Sequence, residues 1–147
     1  MKIYMPEIRL TPEELRYIAL FQDVTGAVVK DCIIDNENNM IIFIVRKGDV
    51  GAAIGKGGSN IKKLRKIFGK DIEIVEDGSS IEELAKNAVA PARVKGIKVI
   101  EGPNKKVVYI SVEPSDKGIA IGKNGKNVTR AKLILKRYFD ITNVVIV

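Results

Sequence analysis

Apolar residues first recur at helical spacing. Leu15, Ile18 and Ala19, with Gln22, fall on one side of a run that Tyr17, Leu20, Phe21 and Val24 widen. Thr11-Pro12-Glu13-Glu14 is a helix start: Thr11 caps, Pro12 suits the first helical position, and Glu14 closes a capping box. Gly26 predicts the stop. The pattern then becomes β-rich over residues 28–35 and 40–46, and Asn36-Glu37-Asn38-Asn39 between them predicts a hairpin. Residues 48–54 form a short helical turn. Residues 59–68 form a helix with Ile61, Leu64 and Ile67/Phe68 inward and Lys62, Lys63 and Lys66 outward. Residues 71–76 read as a strand.

The same order then restarts. Ser80-Ile81-Glu82-Glu83-Leu84 repeats the helix start 69 residues on, capping box included, and Leu84, Ala85, Ala88 and Val89 carry the helix until Pro91 ends it. Residues 96–101 and 106–113 predict a hairpin around Gly102-Pro103-Asn104. Residues 115–121 match residues 48–54 at an offset of 67. A helix from Lys126 to about Tyr138 places Val128, Ala131, Leu135 and Tyr138 in one stripe, and residues 141–147 supply a last strand. The two-residue drift between offsets is assigned to a shorter second hairpin. Two units follow, residues 1–77 and 78–147, each large enough for a small core. The joint at Glu76-Asp77-Gly78-Ser79 is too short for a flexible tether, which predicts a nearly fixed pair.

Composition narrows the chemistry. With no histidine, Cys-His catalysis and His-based zinc sites are excluded. The lone cysteine, Cys32, lies in a strand-like run with no acid–base partner and reads as a buried thiol. No enzyme, metal or cofactor is implied. No apolar run reaches membrane-span length, and the N-terminal Met-Lys-Ile-Tyr-Met-Pro-Glu has no signal-peptide core, so a cytoplasmic protein is expected.

The net charge of +7 falls wholly in residues 79–147, because residues 1–78 hold equal numbers of basic and acidic side chains. Residues 56–70 and 117–137 contain only basic charges. Solvated helix faces explain one such window readily. Two windows, each beside a glycine loop, favour a polyanionic partner.

The loops are Ile54-Gly55-Lys56-Gly57-Gly58 and Ile121-Gly122-Lys123-Asn124-Gly125. Neither is a nucleotide P-loop. Three residues, not four, separate Gly51 from Gly55 and Gly118 from Gly122, and no hydroxyl follows the lysine. A dinucleotide fingerprint fails as well. Ile-Gly-x-x-Gly between two helices, the second basic, resembles the KH domain, whose loop clamps the backbone of about four nucleotides of single-stranded RNA. The resemblance implies an α+β fold of two tandem type II KH domains. Each would run α-β-β-α-α-β, with a three-stranded mixed sheet and helices packed on one face.

The segments Ala-Ala-Ile-Gly-Lys-Gly-Gly-Ser-Asn-Ile and Ile-Ala-Ile-Gly-Lys-Asn-Gly-Lys-Asn-Val, with the tight joint and the length, resemble the archaeal NusA-like transcription factors. That resemblance implies RNA binding in transcription termination and antitermination. Single-stranded RNA, as nascent transcript, would be the partner, with RNA polymerase or other transcription factors as further partners and no membrane. The RNA site it implies comprises Ile54, Gly55, Lys56, Gly57 and Gly58, with Lys62 and Lys63, and Ile121, Gly122, Lys123, Asn124 and Gly125, with Lys126 and Arg130. Asn60 and Asn127 are assigned to capping rather than RNA contact. Aromatic residues make up 5% of the chain, and Tyr17, Phe43 and Tyr138 read as core, so little base stacking is expected. Ribosome assembly, RNA decay and a protein-adapter role stay open as other uses of such units.

Overall fold

A computed structural model describes residues 9–147. Residues 1–8, which include the stretch read for a signal peptide and the start of the first predicted unit, lie outside the described residues. The chain divides into two compact units, with the division between Asp77 and Gly78.

In the first unit, helix α1 (Pro12–Thr25) precedes strands β1 (Val29–Asp35) and β2 (Met40–Val45). Helices α2 (Val50–Ile54) and α3 (Ser59–Phe68) and strand β3 (Asp71–Glu76) follow. The sheet order is β1-β2-β3, antiparallel between β1 and β2 and parallel between β2 and β3. The Thr11 hydroxyl accepts from the Glu14 N–H at 3.1 Å, and the Glu14 carboxylate accepts from the Thr11 N–H at 2.8 Å. That reciprocal cap explains how a glutamate comes to be buried. Gly26, with φ 74°, ends α1 as predicted.

The core gathers Ile18, Phe21, Phe43, Leu64 and Ile72, with Cys32 buried among them. Phe21 stacks on Phe43 with ring centroids 4.2 Å apart, and Tyr17 meets Phe68 edge-on at 4.8 Å. The predicted inward face of α1 needs correcting. Ile18, Phe21 and half-buried Tyr17 and Val24 define its stripe, and Leu15 and Leu20 lie on the stripe's two shoulders, exposed. Ile67 is likewise exposed, not inward. Strand β2 is buried on both faces: Ile41, Phe43 and Val45 belong to the helix-side core, and Met40, Ile42 and Ile44 on the far side are buried too.

The second unit repeats the order with α4 (Ile81–Ala88), β4 (Val94–Gly102), β5 (Lys105–Val112), α5 (Lys117–Ile121), α6 (Lys126–Phe139) and β6 (Asn143–Ile146). Its sheet, β4-β5-β6, has the same strand directions. The Ser80 hydroxyl caps α4, accepting from the Glu83 N–H at 3.1 Å, while the Glu83 carboxylate accepts from the Ser79 N–H and hydroxyl.

The source of the drift between copies differs from the prediction. Buried Glu14, Ile18 and Phe21 match buried Ile81, Ala85 and Ala88 at an offset of 67, so the cap signatures, 69 apart, are two residues out of step with the cores. Val29 pairs with Val45, and Val94 with Val112, so the second hairpin is the longer one. The residues saved lie in the helix instead: α4 has 8 residues and α1 has 14. On α6 the buried positions are Arg130, Ala131, Ile134 and Leu135; Ile134 joins the predicted stripe, and Val128 and Tyr138 are only half-buried. Among the described residues no helix is long and apolar enough to cross a membrane.

Candidate nucleic-acid interface

Each loop is a tight reversal between a five-residue helix and a long one. Gly55 has φ 77° and ψ 164°, and Gly122 has φ 80° and ψ 166°, a region open to glycine and hardly to any other residue. Space imposes the same choice. A Cβ on Gly55 would stand 2.9 Å from the Asn60 backbone nitrogen, and one on Gly122 would stand 2.8 Å from that of Asn127. Gly57 (φ 62°) and Gly58 (φ 76°) are left-handed, as are Asn124 (φ 58°) and Gly125 (φ 74°). Asparagine is one of the few side chains that tolerate this conformation, which explains how Asn124 stands where the first loop has glycine.

Hydrogen bonds close each reversal. The Gly58 N–H donates to the Gly55 carbonyl at 3.0 Å, and the Gly125 N–H donates to the Gly122 carbonyl at 3.1 Å. The Asn60 amide donates to the Ala52 carbonyl at 2.8 Å and the Asn127 amide to the Ile119 carbonyl at 2.7 Å. These asparagines therefore cap, but they cap the helix before the loop, tying α2 to α3 and α5 to α6. The short helices are also anchored at their starts. Asp49 accepts from the Val28 N–H at 2.8 Å, and Asp116 accepts from the Arg93 N–H at 2.8 Å. Arg93 also clasps Asp116 with its guanidinium, at 2.9 and 3.2 Å. That clasp, with the backbone bond, holds the Asp116 carboxyl down to about 2. The Val28 N–H, and Arg46 after it, lower that of Asp49.

Most of the predicted site residues gather at these loops. Ile54, Lys56 and Gly57 are exposed, as are Ile121, Lys123 and Asn124, and Lys126 opens α6 half-buried. Neither α3 nor α6 has a side-chain cap on its first turn, so their positive ends face the loop without a competing side-chain anion. Lys62 and Lys63 stand exposed one turn further along α3.

Arg130 does not join them. It is 7% exposed, and its guanidinium donates to the Ala88 carbonyl at 2.9 Å and the Ala90 carbonyl at 3.2 Å. It satisfies the C-terminal end of α4, so its predicted role in steering a strand is corrected to a structural one. The cations that α6 does expose are Lys132 and Lys136.

Two further residues belong to the loops although their motif does not include them. Gly51 and Gly118, each four residues before a loop's first glycine, sit in α2 and α5 with open space where a Cβ would stand. Neither φ nor packing demands glycine there, although glycine costs a helix about 1 kcal/mol relative to alanine. They leave bare backbone beside exposed Ile54 and Ile121. Their repetition at one offset was the available signal.

The fold and the paired loops define the chain as a tandem KH protein of α-β-β-α-α-β units. Family models agree: residues 15–82 match the KH domain, and residues 81–145 match the NusA-like second KH domain. The chain belongs to the archaeal NusA family. It is 36% identical over 143 residues to the probable transcription termination protein NusA of Methanocaldococcus jannaschii, covering 97% of this chain and 77% of that one. It is 38% identical over 137 residues to the protein of that name from Halobacterium salinarum, covering 93% and 96%. The crystal structure of APE1850 superposes with a TM-score of 0.85 at 48% identity, covering 94% of this chain and all of that one.

Proposed function

We propose that the chain binds single-stranded RNA and acts in transcription termination and antitermination; the name shared by its archaeal relatives supports the role in termination. The observation that carries this reading is the repeated loop. Two Gly-x-x-Gly reversals hold the same backbone shape, each with an exposed lysine, an exposed isoleucine and an uncapped helix start. In this reading the sugar–phosphate backbone lies against Gly55–Gly58 and Gly122–Gly125. Lys56, Lys123 and Lys126 supply charge at the loops, and Lys62 and Lys63 extend it along α3. Bases rest over Ile54 and Ile121, and the missing side chains at Gly51 and Gly118 let the strand approach α2 and α5. Nothing in this arrangement calls for catalysis. The RNA is nascent transcript, the work is cytoplasmic, and RNA polymerase or other factors would be met through surfaces outside the loops.

The test is RNA affinity of the full chain against salt. Lys56→Asp with Gly57→Asp, and Lys123→Asp with Asn124→Asp, should each weaken binding at least about tenfold. Each should also lower the salt slope by about 0.7 for every phosphate that is no longer neutralised, without unfolding the chain. Unchanged affinity in both double variants rejects the loops as the RNA site.

A further inference from the structure

The two sheets present their helix-free faces differently. In the first, Asp31, Met40, Ile42 and Ile44 on that face are buried. In the second, alternation places Lys98, Ile100, Lys105, Val107, Tyr109, Ser111 and Val145 on the corresponding face, because Val108, Ile110 and Val144 fill the helix-side core, and of the residues on that face only Val107 is buried. Lys98 and Lys105 are exposed, Ile100 is 45% exposed, and Tyr109 is half-buried at the middle of the central strand. The β-ladder sets Lys98 directly opposite Tyr109, with Val145 on the tyrosine's other side. At equivalent sheet positions the first unit has Ile33 and Ile42, both buried.

We infer that this face of the second sheet is an additional RNA contact surface, where a base stacks on Tyr109 and the adjoining phosphates meet Lys98 and Lys105. The inference rests on the RNA-binding reading of the loops and extends the strand's path beyond them. Charge selects the partner. Among the described residues, the ladder positions of this face hold two cations, Lys98 and Lys105, and no acidic side chain, Glu101 and Asp140 lying beside Lys105 at the hairpin end, and the unit that carries the face holds the chain's entire excess of +7. A hydrophobic protein partner would be met by a broader apolar area without lysines at its centre. A π-face flanked by a cation, with a Ser111 hydroxyl beside it, suits an unpaired base and its phosphate. The low aromatic content therefore does not remove stacking, because Tyr109 offers a position for it.

The experiment compares RNAs of about eight nucleotides, enough for two loops at about four each, with RNAs of about twenty, using the full chain. Tyr109→Ile should leave the short RNA's affinity unchanged and weaken the long one's about tenfold, the effect of losing one stacked base, while Tyr109→Phe keeps wild-type binding. Lys98→Gln with Lys105→Gln should lower the long RNA's salt slope by about 1.4 and leave the short one's alone. A long RNA carrying 4-thiouridine should crosslink to Tyr109 in the wild type, read by mass spectrometry of the peptides. If circular dichroism shows Tyr109→Ile unfolded, the lysine pair and the crosslink decide. Wild-type long-RNA affinity and slope in the lysine pair, with no crosslink at Tyr109, overturns the inference. Loop variants in the same titrations separate the two ideas: loop effects without sheet effects reject the sheet surface alone, and neither effect rejects RNA binding through either surface.

Discussion

The two loops adopt one set of backbone angles, yet several of the side chains around them differ. Gly57 in the first is Asn124 in the second, and the exposed Lys63 of α3 corresponds to the buried Arg130 of α6. Asp49 leans chiefly on a backbone N–H, whereas Asp116 is gripped by a whole arginine. What stays fixed is the set of positions where geometry leaves no freedom: the first loop glycine, the left-handed pair after it, and the asparagine five residues on. The shape of the loop is thus specified locally, and the surrounding charges are free to diverge. The comparison also separates residues that make the loop from residues that only stand beside it.

Breaking the fixed positions should cause the largest effects, and nearly equal ones in the two units. Gly55→Ala and Gly122→Ala each force a side chain into a glycine-only conformation, costing roughly 1–3 kcal/mol. Each also drives a Cβ to 2.9 or 2.8 Å from the next helix's backbone. Urea unfolding of the full chain should show a loss at the top of that range or beyond, and RNA affinity should fall with it. A tolerated alanine at either position would mean that the loop relaxes more readily than its angles imply.

A smaller and again symmetric loss is expected from Asn60→Ala and Asn127→Ala. Each removes one hydrogen bond that ties the helix before the loop to the helix after it, worth about 1 kcal/mol. Chemical denaturation measures it. A cost in only one unit would show that the second tie is redundant there.

Much of the fold was legible in the sequence because its signals are local. Thr11 with Glu14 and the spacing Gly55–Gly58 act within one turn of chain, and both took the predicted form. Misreadings arose where distant partners decide. Nothing local distinguishes Arg130 from the exposed lysines around it; its burial depends on carbonyls some forty residues away. The helix starts at Thr11 and Ser80 look like one landmark but stand two residues apart relative to their cores. Caps follow local hydrogen bonding, whereas a buried stripe follows what the helix packs against. Leu15 is 52% exposed and Leu84 is 1% exposed for that reason.

The least effect should come from the clasps, and it should differ between the units. The Asp116 carboxyl is lowered mainly by the Arg93 side chain, so its contribution to stability is complete above the ordinary aspartate range near 3.8 and is lost as pH falls through about 2. Arg93→Gln removes the larger cause but keeps the backbone bond. The variant should therefore be less stable than the wild type at neutral pH, and that difference should shrink as pH falls from about 4 toward 2. Arg46→Gln should change the acid response less, because the first cause at Asp49 is the Val28 N–H, which survives the substitution. Both arginines are largely exposed, so solvent screening keeps either effect small. Thermal melts of the two variants between pH 2 and 7 read the contrast, and equal acid responses would show that the arginine clasp adds nothing to what the backbone bond supplies.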